Sequence, residues 1–252
     1  MKLDGKCALI TGAGSGIGQA LAVEAARQGI RLMLTGRRLS ALEETRVLMT
    51  QDADVSLVAA DITEANGREA LRGAVQERFA RLDLLFNNAG VQSVGPFRDA
   101  TQAQLSAMLE TNLLAPMLLT QSLLDLLKAA APSRVVNIGS MFGLIGSPMF
   151  AGYSTSKFGL RGFSDALRRE LKSDGISVSY AAPRATRTPA QARSADQVAH
   201  MKMTVDEPQT VARHILSGVA GGARTIYPRG PERLFVILQG LVPGLIDRAL
   251  AR

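Results

Sequence analysis

The 252-residue sequence has one cysteine, no tryptophan, two histidines and an aromatic content of 4%. A single thiol, Cys7, excludes a disulfide framework within the chain and suits a reducing, cytoplasmic compartment. It lies in the apolar run CALI and reads as a buried strand residue rather than a nucleophile or ligand. His200 and His214 have no ligand spacing around them, so no metal is expected. Too few aromatics and the lack of any Lys/Arg block leave no basis for a base-stacking platform, and no nucleic-acid partner is expected. No apolar run reaches the roughly 18 residues that a spanning helix needs. The opening MKLDGKCALITG runs into a strand pattern without signal-peptide features. The expectation is a soluble cytoplasmic protein, at most peripheral to a membrane, whose formal charge of +7 suits an anionic partner.

What is present is enough for a large core: 46% apolar and 20% charged residues. Short apolar runs at 7–11, 31–35, 55–59, 82–87, 134–138, 176–181 and 224–227 read as strands. Segments of helical period lie near 16–28, 39–51, 64–80, 101–129, 152–173 and 208–219. Strands separated by helices predict an α/β fold with a doubly wound parallel sheet, about seven strands and helices on both faces. No linker or repeat divides the chain, so one domain over 1–252 is expected, with an apolar C-terminal extension at 229–252.

Such sheets bind ligands beyond the carboxyl ends of their strands. The segments following successive strands are TGAGSGIG, GRR, ADI, NNAG, GSMFG and APRATRT, which gathers small, polar and charged residues at one edge. In the first, Gly12, Gly14, Gly16 and Gly18 precede a helix whose N-terminal N–H groups suit a pyrophosphate. The strict G-x-G-x-x-G spacing fails because position 17 is Ile. After the second strand no carboxylate stands to meet ribose hydroxyls. Arg37 and Arg38 stand there instead, which favours NADP (NADPH) over NAD through charge-assisted bonds to a 2′-phosphate. Further on, YSTSK sets Tyr153 and Lys157 one helical turn apart, either as an ordinary exposed pair or as a tuned acid and base.

TGAGSGIG, NNAG and YSTSK, in this order and each after its strand or on its helix, resemble the short-chain dehydrogenase/reductase family in its single-domain form, from about Lys6 to Thr188. The resemblance implies a Rossmann fold and a cofactor site of Gly12, Ser15, Gly16, Ile17, Gly18, Arg37 and Arg38. Asp61 and Ile62 would border the adenine, and Asn88, Ala89 and Gly90 the adenosine ribose. Pro183 and Thr188 would lie near the carboxamide, although Arg184 replaces the usual glycine after Pro183. It also implies a catalytic set in which Ser140 polarises a substrate oxygen, Tyr153 transfers the proton, Lys157 lowers the phenol's pKa and reaches the nicotinamide ribose, and Asn112 holds a relay water.

The implied reaction is NADP(H)-dependent interconversion of a carbonyl and a secondary alcohol on an apolar ketone, aldehyde or 3-oxoacyl substrate. A non-catalytic NADP(H)-sensing regulator, or a dehydratase or epimerase on the same fold, is the alternative. Arg184 and Arg187 read equally as partners of an anionic substrate and as solvated side chains. Residues 189–205, polar and without clear period, read as a mobile lid. The ending lacks the family's glycine-rich final strand, which points to a homodimer built on the helices near 101–129 and 152–173. The run 234–246, with Arg229, Arg233, Arg248 and Arg252 around it, is either a packing or dimer surface or a peripheral membrane contact.

Overall fold

A strand covered by helices on both faces must place apolar side chains on alternating sides, and the two cores show this alternation. Ala8 and Ile10 enter one cluster, Cys7 and Leu9 the other. The computed structural model describes residues 2–192, 194–200 and 203–250. Arg252, expected beside the apolar C-terminal run, lies outside the described residues, as do the ends of the 1–252 and 229–252 spans.

The chain runs β1 (Cys7–Thr11), α1 (Gly16–Arg27), β2 (Arg31–Gly36), α2 (Leu39–Val47), β3 (Val55–Ala59), α3 (Ala65–Phe79) and β4 (Leu84–Asn87). It continues with α4 (Gln102–Leu109), α5 (Ala115–Ser122), α6 (Leu124–Ala129), β5 (Ser133–Ile138), α7 (Ala151–Glu170) and β6 (Ile176–Ala181). Last come α8 (Pro189–Ala192), α9 (Ala195–His200), α10 (Pro208–Ala220), β7 (Thr225–Ile226), α11 (Glu232–Leu241) and α12 (Pro243–Leu250). The seven strands pair in parallel in the order β3-β2-β1-β4-β5-β6-β7. This is the doubly wound Rossmann sheet. Helices α1, α2 and α10 cover one face, with Leu21, Leu42 and Ile215 fully or almost fully buried. Helices α3, α5, α6 and α7 cover the other through Leu71, Leu119, Leu127 and Leu167. The winding reverses between β1 and β4, which opens a crevice at their carboxyl ends.

Several elements differ from the sequence reading. The segment 101–129 is not one helix: five π-helical residues, Glu110–Leu114, separate α4 from α5, and α6 is a further short helix. Pro116 has no N–H to give the Asn112 carbonyl four residues back, so the turn widens there, and Ala115 N–H bonds Glu110 O instead. Strand β4 starts at Leu84 rather than at position 82. Asp83 is fully buried at the strand entrance, where it takes hydrogen bonds from Lys6, Cys7 N–H and Arg81. Helix α2 stops at Val47, and Arg46 turns back to the carbonyls of Thr50 and Gln51. The segment read as a lid without periodicity carries α8 and α9, the first begun by Thr188 Oγ1 accepting Gln191 N–H.

Candidate active site

The crevice is a groove of about 690 Å³ that runs from Arg37 and Arg38, over the glycine loop, to Ser140, Tyr153 and Lys157. At its outer end β2 and β3 finish side by side, Gly36 opposite Ala59. Exposed Arg37 therefore stands beside Asp61, and its charge helps depress that carboxyl. Burial works to raise Asp61, but hydrogen bonds from the Thr63 amide and hydroxyl to one oxygen outweigh it. Arg38 occupies the N-cap of α2, whose first turn carries no acid, so nothing there answers the helix dipole's positive end. Ile62 packs its side chain into the core.

The floor is backbone packed on backbone. A Cβ on Gly12 would lie 2.8 Å from Ala89 Cα, and one on Gly18 would lie 2.2 Å from Gly12 O. Gly12 and Gly16 hold positive φ of 63° and 57°, which favours glycine. Thr11 Oγ1 accepts the amides of Asn88 and Ala89, and Asn88 Nδ2 donates to the carbonyls of Thr11 and Gly12. Ser15 sits at the N-cap of α1 in extended conformation, without a side-chain cap bond. The start of α1 thus faces the groove beside Ile17, and Thr188 closes over Gly16. This concave, uncapped helix start with arginines at one end fits an anionic dinucleotide.

The inner end is made by side chains. Ser140 follows β5 and accepts Phe142 N–H at 3.1 Å, which leaves its hydroxyl proton to be donated. Its hydrogen bond works to lower the Tyr153 phenol, but burial dominates and pushes that phenol up to about 12. The shift is opposite to the sequence expectation. Lys157, one turn along α7, is buried, donates to Ile138 O at 2.9 Å and holds its ammonium 5.7 Å from the Tyr153 ring centroid. Burial lowers Lys157 to about 8. An ammonium has three donors, so Lys157 keeps two for a ligand in the groove. Gly90 lies over this pair: a Cβ there would be 3.1 Å from Asn112 Oδ1 and 3.6 Å from Lys157 Nζ.

Asn112 lies in the π turn. Its Oδ1 accepts Val91 N–H, and its Nδ2 donates to Val91 O and Ser156 Oγ. The amide thus ties the segment after β4 to α7. Pro183 accepts Met141 N–H, which draws the loop after β6 onto the Ser140 loop. Arg184 lines the groove with its guanidinium already paired. It makes a two-pronged pair with Asp206 at 2.8 and 2.9 Å and also donates to Glu232 on α11. Arg187 pairs with Glu207 at the surface.

Two residues at the site escape the sequence reading. Tyr180, on β6, is 1% exposed and places its hydroxyl among Ser140 N–H, Ser140 O and Lys157 O at 3.2–3.3 Å. A Cβ on Gly139 or Gly143 would come within 2.1 Å of that hydroxyl, so glycines on both sides of Ser140 are the signal that could have disclosed it. Gln92 donates to Ala190 O and Ser194 Oγ, which joins the segment after β4 to α8 and the start of α9. Among the described residues no group of three or more His, Cys, Asp or Glu side chains could hold a metal, and no helix is long and apolar enough to cross a membrane.

Comparison with known proteins agrees with this fold. The chain is 29% identical over 259 residues to the uncharacterized oxidoreductase YxnA of Bacillus subtilis, covering 100% of this chain and 73% of that one. It is 35% identical over 190 residues to an acetoacetyl-CoA reductase of Acinetobacter, covering 73% of this chain and 75% of the relative. A short chain dehydrogenase/reductase from Burkholderia phymatum, crystallised in complex with NAD, superposes with a TM-score of 0.87 at 24% identity, covering 100% of this chain and 97% of that one, and shows the shared fold. The family model for short chain dehydrogenases matches residues 6–199, and the chain belongs to that family of oxidoreductases.

Proposed function

We propose that this oxidoreductase interconverts a carbonyl and a secondary alcohol with NADP(H), on an apolar ketone, aldehyde or 3-oxoacyl substrate. The observation that carries the reading is one groove with two unlike ends: two arginines directly after β2, where no acid stands, at the outer end, and Ser140, Tyr153 and Lys157 at the inner. The glycine floor and the start of α1 would hold the pyrophosphate, Arg37 and Arg38 the 2′-phosphate, and Lys157 the nicotinamide ribose. Bound there, the nicotinamide supplies or accepts the hydride. Ser140 donates a hydrogen bond to the substrate oxygen, an oxyanion-type role. Tyr153, protonated at neutral pH with its pKa near 12, is in the form that gives a proton to that oxygen. The Lys157 ammonium favours the phenolate left behind and titrates close enough to neutrality to help restore its proton.

The acetoacetyl-CoA reductase among the relatives supports a 3-oxoacyl thioester, and Met141, Phe142 and Phe150 give the inner groove apolar walls. Half-exposed Leu109, Leu114 and Phe158, along the 109–114 stretch and on α7, support the expected homodimer. The test is NADPH consumption over a panel of aliphatic, aromatic and steroid ketones, aldehydes and acetoacetyl thioesters, run in parallel with NADH. Turnover of at least one carbonyl, faster at limiting NADPH than NADH, is expected. Tight NADPH binding with no turnover across the panel would replace this reading with the sensor.

A further inference from the structure

The C-terminal hairpin of α11 and α12 is fastened to the protein by few contacts. Val236 packs with Tyr227 against the cluster of Met141, Leu144 and Leu160, and Ile246 is the buried residue of α12. Glu232 turns inward to Arg184, which lines the groove, so the hairpin stands beside the groove wall. The opposite side is apolar and open: Leu234, Phe235, Ile237, Leu241, Val242 and Leu245 are 46–75% exposed.

We infer that this hairpin seats the protein on an anionic lipid surface. Two short helices broken at Val242–Pro243 are too short to span a bilayer but suited to lie in its interface. Arg229, Arg233 and Arg248 are all exposed around the apolar face. Between residues 229 and 250 there are two acids, and Glu232 is engaged with Arg184, which leaves Asp247 against three arginines. That rim complements phosphate headgroups. A second copy docking symmetrically through the same face would bring identical arginine rims together, an unfavourable arrangement that favours lipid over self-association.

The experiment is flotation of the full chain with vesicles of phosphatidylcholine alone and of phosphatidylcholine mixed with phosphatidylglycerol, at low and high salt. Binding is expected to the anionic vesicles and to weaken with salt. The paired substitution Phe235→Asp and Leu241→Asp should weaken it at least about tenfold. Each of Arg229→Gln, Arg233→Gln and Arg248→Gln should weaken it by about fivefold. All these positions are exposed, and unchanged melting temperatures would exclude unfolding as the cause. Should the Asp pair fail to fold, the arginine variants and the lipid comparison still decide. Equal binding to neutral vesicles, or none to either, overturns the inference. So does loss of a concentration-dependent dimer in the Asp variant without any vesicle binding by the wild type, which would assign the face to a second copy.

Discussion

The turn after β1 and the turn after β5 both join a buried strand to the groove, and they are built by opposite means. The first is backbone against backbone: Gly12 on Ala89 and Gly18 on the Gly12 carbonyl, with no room for a Cβ. What it offers a ligand is main-chain N–H groups and a helix start. The second also uses glycines, but here Gly139 and Gly143 make room for a side chain, Tyr180, whose hydroxyl holds both sides of Ser140. What it offers is three side chains in fixed relation. A backbone site binds well and has no proton to give; a side-chain site can titrate. The two halves should therefore fail differently when damaged.

The largest expected effect tests the side-chain half. Tyr153→Phe keeps the ring that packs edge-on against Phe142 and removes the proton. Turnover should fall about 10²–10⁴-fold, the usual contribution of a general acid. NADPH affinity, measured by fluorescence titration, should change less than about fivefold, since one lost hydrogen bond is worth about 1 kcal/mol. Activity retained within a few fold would take Tyr153 out of the proton-transfer role.

Damage to the backbone half should show in binding. Gly18→Ala puts a methyl 2.2 Å from Gly12 O and 2.3 Å from Asn88 Nδ2, so the loop must move. Overpacking of this kind costs about 1–3 kcal/mol, and dinucleotide affinity should drop about ten- to a hundredfold for NADPH and NADH alike. A tight-binding Gly18→Ala protein would mean the loop is not the cradle. Arg37→Ala sharpens the contrast, because it acts on one cofactor. NADPH should weaken about tenfold, the lower end for a charge-assisted contact at an exposed position, with NADH nearly unchanged. Equal weakening of both would remove the arginine from the 2′-phosphate.

What is legible in the sequence follows the same division. The glycine loop leaves a local trace, since strand, turn and helix start fall within a dozen residues, and the i, i+4 spacing of Tyr153 and Lys157 is equally local. The sheet order also follows from the βα alternation. Arg184 shows the limit: its partners lie 22 and 48 residues away, and no spacing rule connects them. Tyr180 reads as one more apolar strand residue until Asn137 and Tyr180 are seen side by side in the sheet. The break in 101–129 had a visible signal in Pro116, but the helical period on both sides masks it. The expected lowering of the Tyr153 phenol missed the size of the burial effect, which depends on how deep the cleft is rather than on which residue stands one turn away.

That burial effect supplies the smallest and most direct test, made on the cofactor-free protein. Lys157 has its pKa lowered from 10.5 to about 8 by burial. Between these values the unfolded chain binds the proton more tightly than the folded one. Stability carried by Lys157 is therefore depressed below about pH 8, where the buried ammonium is charged, and recovers as pH rises toward 10.5. Tyr153 runs the other way, since its raised pKa makes stability fall only once the unfolded phenol ionises above about 10. The clean window is thus pH 8 to 9.5. Lys157→Met removes the titration and keeps most of the stem. The stability of wild type relative to Lys157→Met should rise by about 1 kcal/mol per pH unit across this window. In a chain of this size that is about 2–4 °C in Tm per unit, readable by thermal unfolding of the two proteins at matched ionic strength. A flat difference would mean that Lys157 titrates as it does in water. The phenol would then sit beside a full-time cation, and the side-chain half would be tuned by charge rather than by burial.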